Sequence, residues 1–248
     1  MSPGISSPGR WRTVAPWLIA VLATTAHAQD PDLPPVEWPD IPAHAADADG
    51  FAPPRWRVEH AVAGRLDADE REDLLLVLRM DDPANVIVHD GPGESPFDSN
   101  PRLLVLAVAD GGGYRRVAVD NALVPRQPSP VFDDFLADAP AIAPSRVFSV
   151  SLRSWASAGS WTTTTRSFAF RLQDGCVRLV GFDEESLHRA SGEITRRSFN
   201  FLARSAWESS GSIDRDGEDA RRTKRLPADV VCLADVGDGF AFEPGVEG

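Results

Sequence analysis

Between Gly64 and Leu78 the chain reads GRLDADEREDLLLVL, with carboxylates at Asp67, Asp69, Glu70, Glu72 and Asp73 and an apolar run directly behind them. Acidic oxygens at alternate positions of a short loop are what a hard cation selects. Ca²⁺ takes about six to eight oxygen ligands, many of them carboxylates. Asp67, Asp69 and Asp73 are therefore the candidate metal ligands, and Ca²⁺ is the one cofactor that the chain suggests. The rival reading is a solvated acidic turn, since acids cluster freely in an acid-rich chain.

Other chemistry is sparser. No Gly-x-Ser-x-Gly nucleophile turn occurs. Ser157 and Ser160 of SAGSW have no base beside them in sequence, and glycine with serine is ordinary turn composition. HRASGE offers His188 and Glu193 as an acid–base pair, against a capped turn leading into a strand. Asp133, Asp134 and Asp138 stand near Phe132 and Phe135, an arrangement compatible with a sugar cleft or with a solvated loop held by its phenylalanines. His60 lies on an apolar strand face and is expected to be a hydrogen-bonded core residue. No catalytic constellation and no organic cofactor site emerges.

The acidic loop resembles the Asp-x-[Asp/Asn]-x-Asp-Gly-x-x-Asp motif of secreted FG-GAP and VCBS repeat proteins. Asp67, Asp69 and Asp73 fall on its third, fifth and ninth positions, ahead of an apolar strand. Arg65 stands at the first ligand position, and Glu70 replaces the glycine at the sixth. A guanidinium offers five donors in a planar fork, so Arg65 is expected to take the ion's place among the three aspartates. FSVSL, SAGSW, RLQDGCVRLVGFD, HRASGE and SFNFLAR also resemble a group of uncharacterised secreted proteobacterial proteins with one such motif. That resemblance implies export and a single β-rich body, with no activity attached.

The elements that position these residues are strands. WRVEHAV alternates from Trp56, whereas Asp73–Arg79 and Arg102–Ala109 are apolar on both faces and suit central strands. DGGGY turns the second of these into Tyr114–Asn121. A Pro-rich connection, Val124–Ser145, is long enough to suggest a functional loop. Val147–Phe182 reads as a three-stranded meander, with Phe148, Val150 and Leu152 on one face and Phe168, Phe170 and Leu172 on another. EITRRSFNFL with SAWESSGSI forms a further hairpin, and RTKRL and VVCLADV read as closing edge strands. Asp183–Arg189 has at most a helical turn. The expected class is all-β, with roughly ten mostly antiparallel strands in a sandwich or a partial-propeller meander.

Residues 1–28 carry the marks of an export signal: Arg10 and Arg12, an apolar run from Val14 to Leu22, and Ala26-His27-Ala28. Residues 29–54, rich in Pro, Ala and Asp, suggest a flexible lead-in, and 55–248 the β-rich domain. The apolar run is too short to span a bilayer. Removing the signal leaves 23 basic against 37 acidic residues, a formal charge of −14. Such a balance excludes nucleic acid and anionic membrane surfaces as general partners. Cys176 and Cys232 are the only cysteines, and in an oxidising compartment they are expected to pair. The whole describes a periplasmic or secreted non-enzymatic module that binds a protein or a cell-envelope glycan. The alternative is a carboxylate-dependent hydrolase acting on envelope carbohydrate.

Overall fold

A computed structural model describes Met1, residues 32–136 and residues 138–246. Apart from Met1, the expected export segment lies outside the described residues. The strands are β1 (His44–Ala45), β2 (Trp56–Gly64), β3 (Asp73–Met80), β4 (Val86–Ile87), β5 (Phe97–Asp98), β6 (Arg102–Asp110), β7 (Gly113–Asp120) and β8 (Ala141–Ile142). They continue as β9 (Val147–Ser154), β10 (Thr162–Gln173), β11 (Cys176–His188), β12 (Glu193–Asn200), β13 (Ser205–Ser212), β14 (Arg215–Glu218) and β15 (Arg222–Arg225), before a single helical turn, α1 (Leu233–Val236).

All pairings are antiparallel. One sheet has the order β1-β7-β6-β3-β2, and a second runs β14-β13-β12-β11-β10-β9-β8 with β15 also on β13. A two-stranded ribbon joins β4 to β5. The sheets close no barrel. They face each other as a sandwich: Leu75 and Val77 of β3 and Leu104 and Leu106 of β6 share one core with Phe148, Val150, Phe168, Phe170 and Phe182 of the larger sheet.

β3 and β6 are buried on both faces, as their unbroken apolar runs require. Their other face, Leu74, Leu76, Leu78, Leu103 and Val105, is covered by Ile41, Phe51 and Trp56. This corrects the expected flexible lead-in. Phe51 is wholly buried and Ile41 is 5% exposed, so the segment anchors these two side chains in the core. Two well-placed apolar side chains suffice to cap a sheet face, and they leave no periodic signature.

Two local expectations also change. Asp183–His188 extends β11 and forms no helical turn. Phe182 pairs with Phe199 and Glu184 with Arg197 across β12, and these cross-strand contacts outweigh a weak helical preference. VVCLADV gives only a bridge from Cys232 to Arg178 before α1. Cys176 and Cys232 are disulfide-bonded, with Cα atoms 5.8 Å apart. The bond ties the start of β11 to the residue preceding α1.

Candidate functional site

The acidic loop lies between β2 and β3, and its three aspartates offer oxygens within 4.8 Å of one another. Their carboxylates already have donors. Asp73 is fully buried. Its Oδ2 accepts from the backbone N–H groups of Leu66 at 2.6 Å and Asp67 at 3.2 Å, and its Oδ1 from Ala109 at 2.9 Å on the neighbouring β6. Asp67 Oδ1 accepts from Asp69 N at 2.9 Å. Asp69 accepts from Arg71 through the backbone N at 2.8 Å and through Nε at 2.8 Å. That contact with Arg71 holds the Asp69 carboxyl below its usual range.

A cation is therefore among the aspartates, but it belongs to Arg71. Arg65, expected in that place, is exposed. It lines a cleft of about 420 Å³ with Gly64, Glu70, Glu72 and Ile142. The reason is local. An i→i+2 bond from Arg71 N to Asp69 turns the chain so that the Arg71 side chain folds over the same carboxylate, and this Asx geometry is the usual way an aspartate shapes a turn.

Asp134, from the Pro-rich connection, pairs with Arg102 at 2.6 Å. Arg102 also forks onto Glu59, and Arg79 pairs with Glu59 at 3.2 Å and with Asp98 at 3.0 Å. Burial pushes the Glu59 carboxyl up, but Arg102 and Arg79 outweigh it and hold the group below its ordinary 4.5. Burial likewise opposes the Arg102 charge, while Glu59 and Asp134 raise its pKa. Asp133 and Asp138 are exposed. His60 is half-buried on edge strand β2, with no side-chain hydrogen bond among the described residues.

Strand register collects the remaining candidates at one end of the larger sheet. Thr162 opposite His188, and His188 opposite Glu193, place SAGSW beside HRASGE. Asp133 N donates to Trp155 O at 3.0 Å, and Ser157 N to Val131 O at 2.8 Å, which adds the Pro-rich connection. Arg189 clamps the loop by donating to the carbonyls of Ala156 and Ser160. Its guanidinium lies 5.0 Å from the Trp155 ring centroid and 5.9 Å from that of Trp161. Trp161 remains 65% exposed.

In the adjoining turn, His188 Nδ1 contacts Ser191 Oγ at 2.9 Å, and Ser191 Oγ donates to Glu193 at 3.1 Å. A nucleophilic triad needs the imidazole between hydroxyl and carboxylate. Here the hydroxyl is in the middle, which makes a capped turn. Beyond it a polar cleft of about 610 Å³ is lined by Glu193, Thr195, Ser210, Ser212, Arg215 and Asp219. From Trp161's neighbour Thr162 to Glu193 is two strand spacings, about 10 Å. The tryptophans and Arg189 were not among the residues that sequence reasoning singled out. The available signal was an exposed-type aromatic inside a Gly/Ser turn.

Set against protein-family models, curated proteins and solved structures, the chain matches none of them.

Proposed function

We propose that the protein is an exported, non-catalytic β-sandwich module that binds a cell-envelope glycan at this end of the larger sheet. The reading rests on Trp161, an indole left 65% exposed beside Trp155 and a fixed guanidinium. An indole offers an apolar face to the C–H surface of a sugar ring while keeping a polar edge. The neighbouring cleft supplies what sugar hydroxyls need: the hydroxyls of Thr195, Ser210 and Ser212, and the Arg215–Asp219 ion pair. Platform and cleft about 10 Å apart suit an extended chain better than a single sugar.

The rival is hydrolysis by carboxylates. It needs two acids flanking one bond, about 5–9.5 Å apart. Asp134 is engaged by Arg102, and Glu193 belongs to the Ser191 turn, which favours binding over cleavage. Export rests on the signal-like N-terminal sequence. The disulfide and the lack, among the described residues, of a helix able to cross a membrane agree with it.

The test is co-sedimentation of the natural chain with purified envelope polysaccharide and sacculi, alongside Trp161→Ala and Trp155→Ala. Saturable binding by the natural chain and at least tenfold weaker binding by Trp161→Ala is the expected result. Equal binding by the variant, or none by the natural chain, refutes the glycan reading. Release of reducing ends on incubation would favour the hydrolase.

A further inference from the structure

The register of β10 on β11 sets Arg171 directly opposite Arg178. Their neighbours Phe170 and Leu179 are fully buried in the core between the sheets. By the alternation of a strand, both arginines therefore lie on the outer face of the larger sheet. Cβ atoms so placed are about 4.5–5.5 Å apart, and like charges directly opposite destabilise a sheet.

Elsewhere an opposed arginine pair shares an acid: Arg79 stands opposite Arg102, and both reach Glu59. Arg79, Arg102, Arg166, Arg196 and Arg197 each reach a carboxylate within hydrogen-bond distance. Arg171 and Arg178 make no ion pair and no side-chain hydrogen bond among the described residues, and the Nε atom of each is buried without a partner. Want of acids is not the cause, since the chain has 37 against 25 bases. Asp174, in the adjoining turn, accepts from Gln173 at 3.1 Å, and Asp235 from the Cys232 backbone at 2.9 Å. Two adjacent guanidinia, each a planar fork of donors, match the oxygens of a tetrahedral dianion better than any single carboxylate.

We propose that Arg171 and Arg178 form an anion site for a phosphoryl group, held by both guanidinia on the outer face of the β10–β11 hairpin. The group could arrive as free phosphate or as a phosphoryl substituent on a larger sugar ligand, and the chemistry of recognition is the same.

The full chain is titrated with inorganic phosphate, with glucose 6-phosphate and with glucose, at low and constant ionic strength set by chloride. Melting temperature and calorimetric heat are read. A rise in melting temperature with both phosphoryl compounds and none with glucose assigns the site to any accessible phosphoryl group. A rise with glucose 6-phosphate alone assigns it to the sugar-borne group. Arg171→Gln and Arg178→Gln should each weaken binding at least tenfold, and Arg171→Lys, which keeps the charge and loses the fork, should fall between. Because the repulsion is then relieved, each glutamine variant should melt no lower than the natural chain in chloride alone. No response to either phosphoryl compound, or a response that survives both glutamine substitutions, overturns the proposal.

Discussion

Replacing Asp73 distinguishes a loop pinned by protein donors from one built for a metal. The carboxylate is fully buried and accepts three backbone N–H groups, those of Leu66, Asp67 and Ala109. Asp73→Ala leaves them without an acceptor. Each buried donor so orphaned costs about 1–3 kcal/mol. Only the Leu66 N–H is fully buried, whereas those of Asp67 and Ala109 are part-buried and can recover some water, so the loss should be about 2–4 kcal/mol. Asp73→Asn keeps one acceptor oxygen but turns an NH₂ toward a donor, and should cost about half as much. Both are large against a total stability of about 5–15 kcal/mol. Urea unfolding at pH 7, with the denaturant slope unchanged, gives the difference directly. Asp69→Ala should change the midpoint little, because its partner Arg71 is exposed. A metal-held loop behaves otherwise: all three alanine variants lose comparable stability, and the natural chain melts higher with millimolar Ca²⁺ and lower with EDTA. Either that pattern, or an Asp73→Ala loss below about 1 kcal/mol, refutes the pin.

Phe51→Ala should cost about 3–5 kcal/mol in urea unfolding, since Phe51 is wholly buried over the second face of the central strands; a change near zero would return residues 41–54 to the status of a loose tail. Removing the disulfide by Cys176→Ser with Cys232→Ser opens a loop of 56 residues, and should cost about 4 kcal/mol by the chain-entropy relation, read as a shift in urea midpoint. In acid titration Glu59, held below 4.5, contributes stability that is complete above that pH and disappears as pH falls through its lowered native value. Glu59→Gln should therefore lose stability at neutral pH and show a shallower acid decline, and an acid limb identical to the natural one would contradict the ion-pair account.

The double burial of β3 and β6 was legible because Leu and Val occupy consecutive positions, and a strand with water on one face would alternate. The turns were legible through Gly111 and Gly112 and through Asp174-Gly175, all of which adopt positive φ. Strands of two residues, such as β1 and β8, carry too few positions for any period and could not be read. The acidic loop shows a different limit. Arg65 and Arg71 each stand two residues from an aspartate, and composition does not choose between them. The choice lies in the backbone bond from Arg71 N to Asp69. The tip was least legible. Trp155, Trp161 and Arg189 come from two separate turns, and only the pairing of Thr162 with His188 brings them together. Residue types named the pieces, and strand register assembled them.

The same register separates the two proposed binding sites. Thr162 and Arg171 lie on one strand, nine residues apart, which at about 3.3 Å per residue is about 30 Å. The Debye length near physiological salt is about 8 Å, so the charge on the arginine pair is screened several times over before it reaches Trp161. Both sites stand on one continuous antiparallel sheet whose inner face is close-packed, and such a sheet has no second arrangement for a ligand to select. The two should act independently. Arg171→Gln with Arg178→Gln should leave glycan co-sedimentation unchanged while abolishing the phosphate response, and Trp161→Ala should do the reverse. If phosphate instead alters the glycan affinity of the natural chain, the thermodynamic coupling must be reciprocal. One ligand then spans the outer face, and the two sites are ends of a single groove.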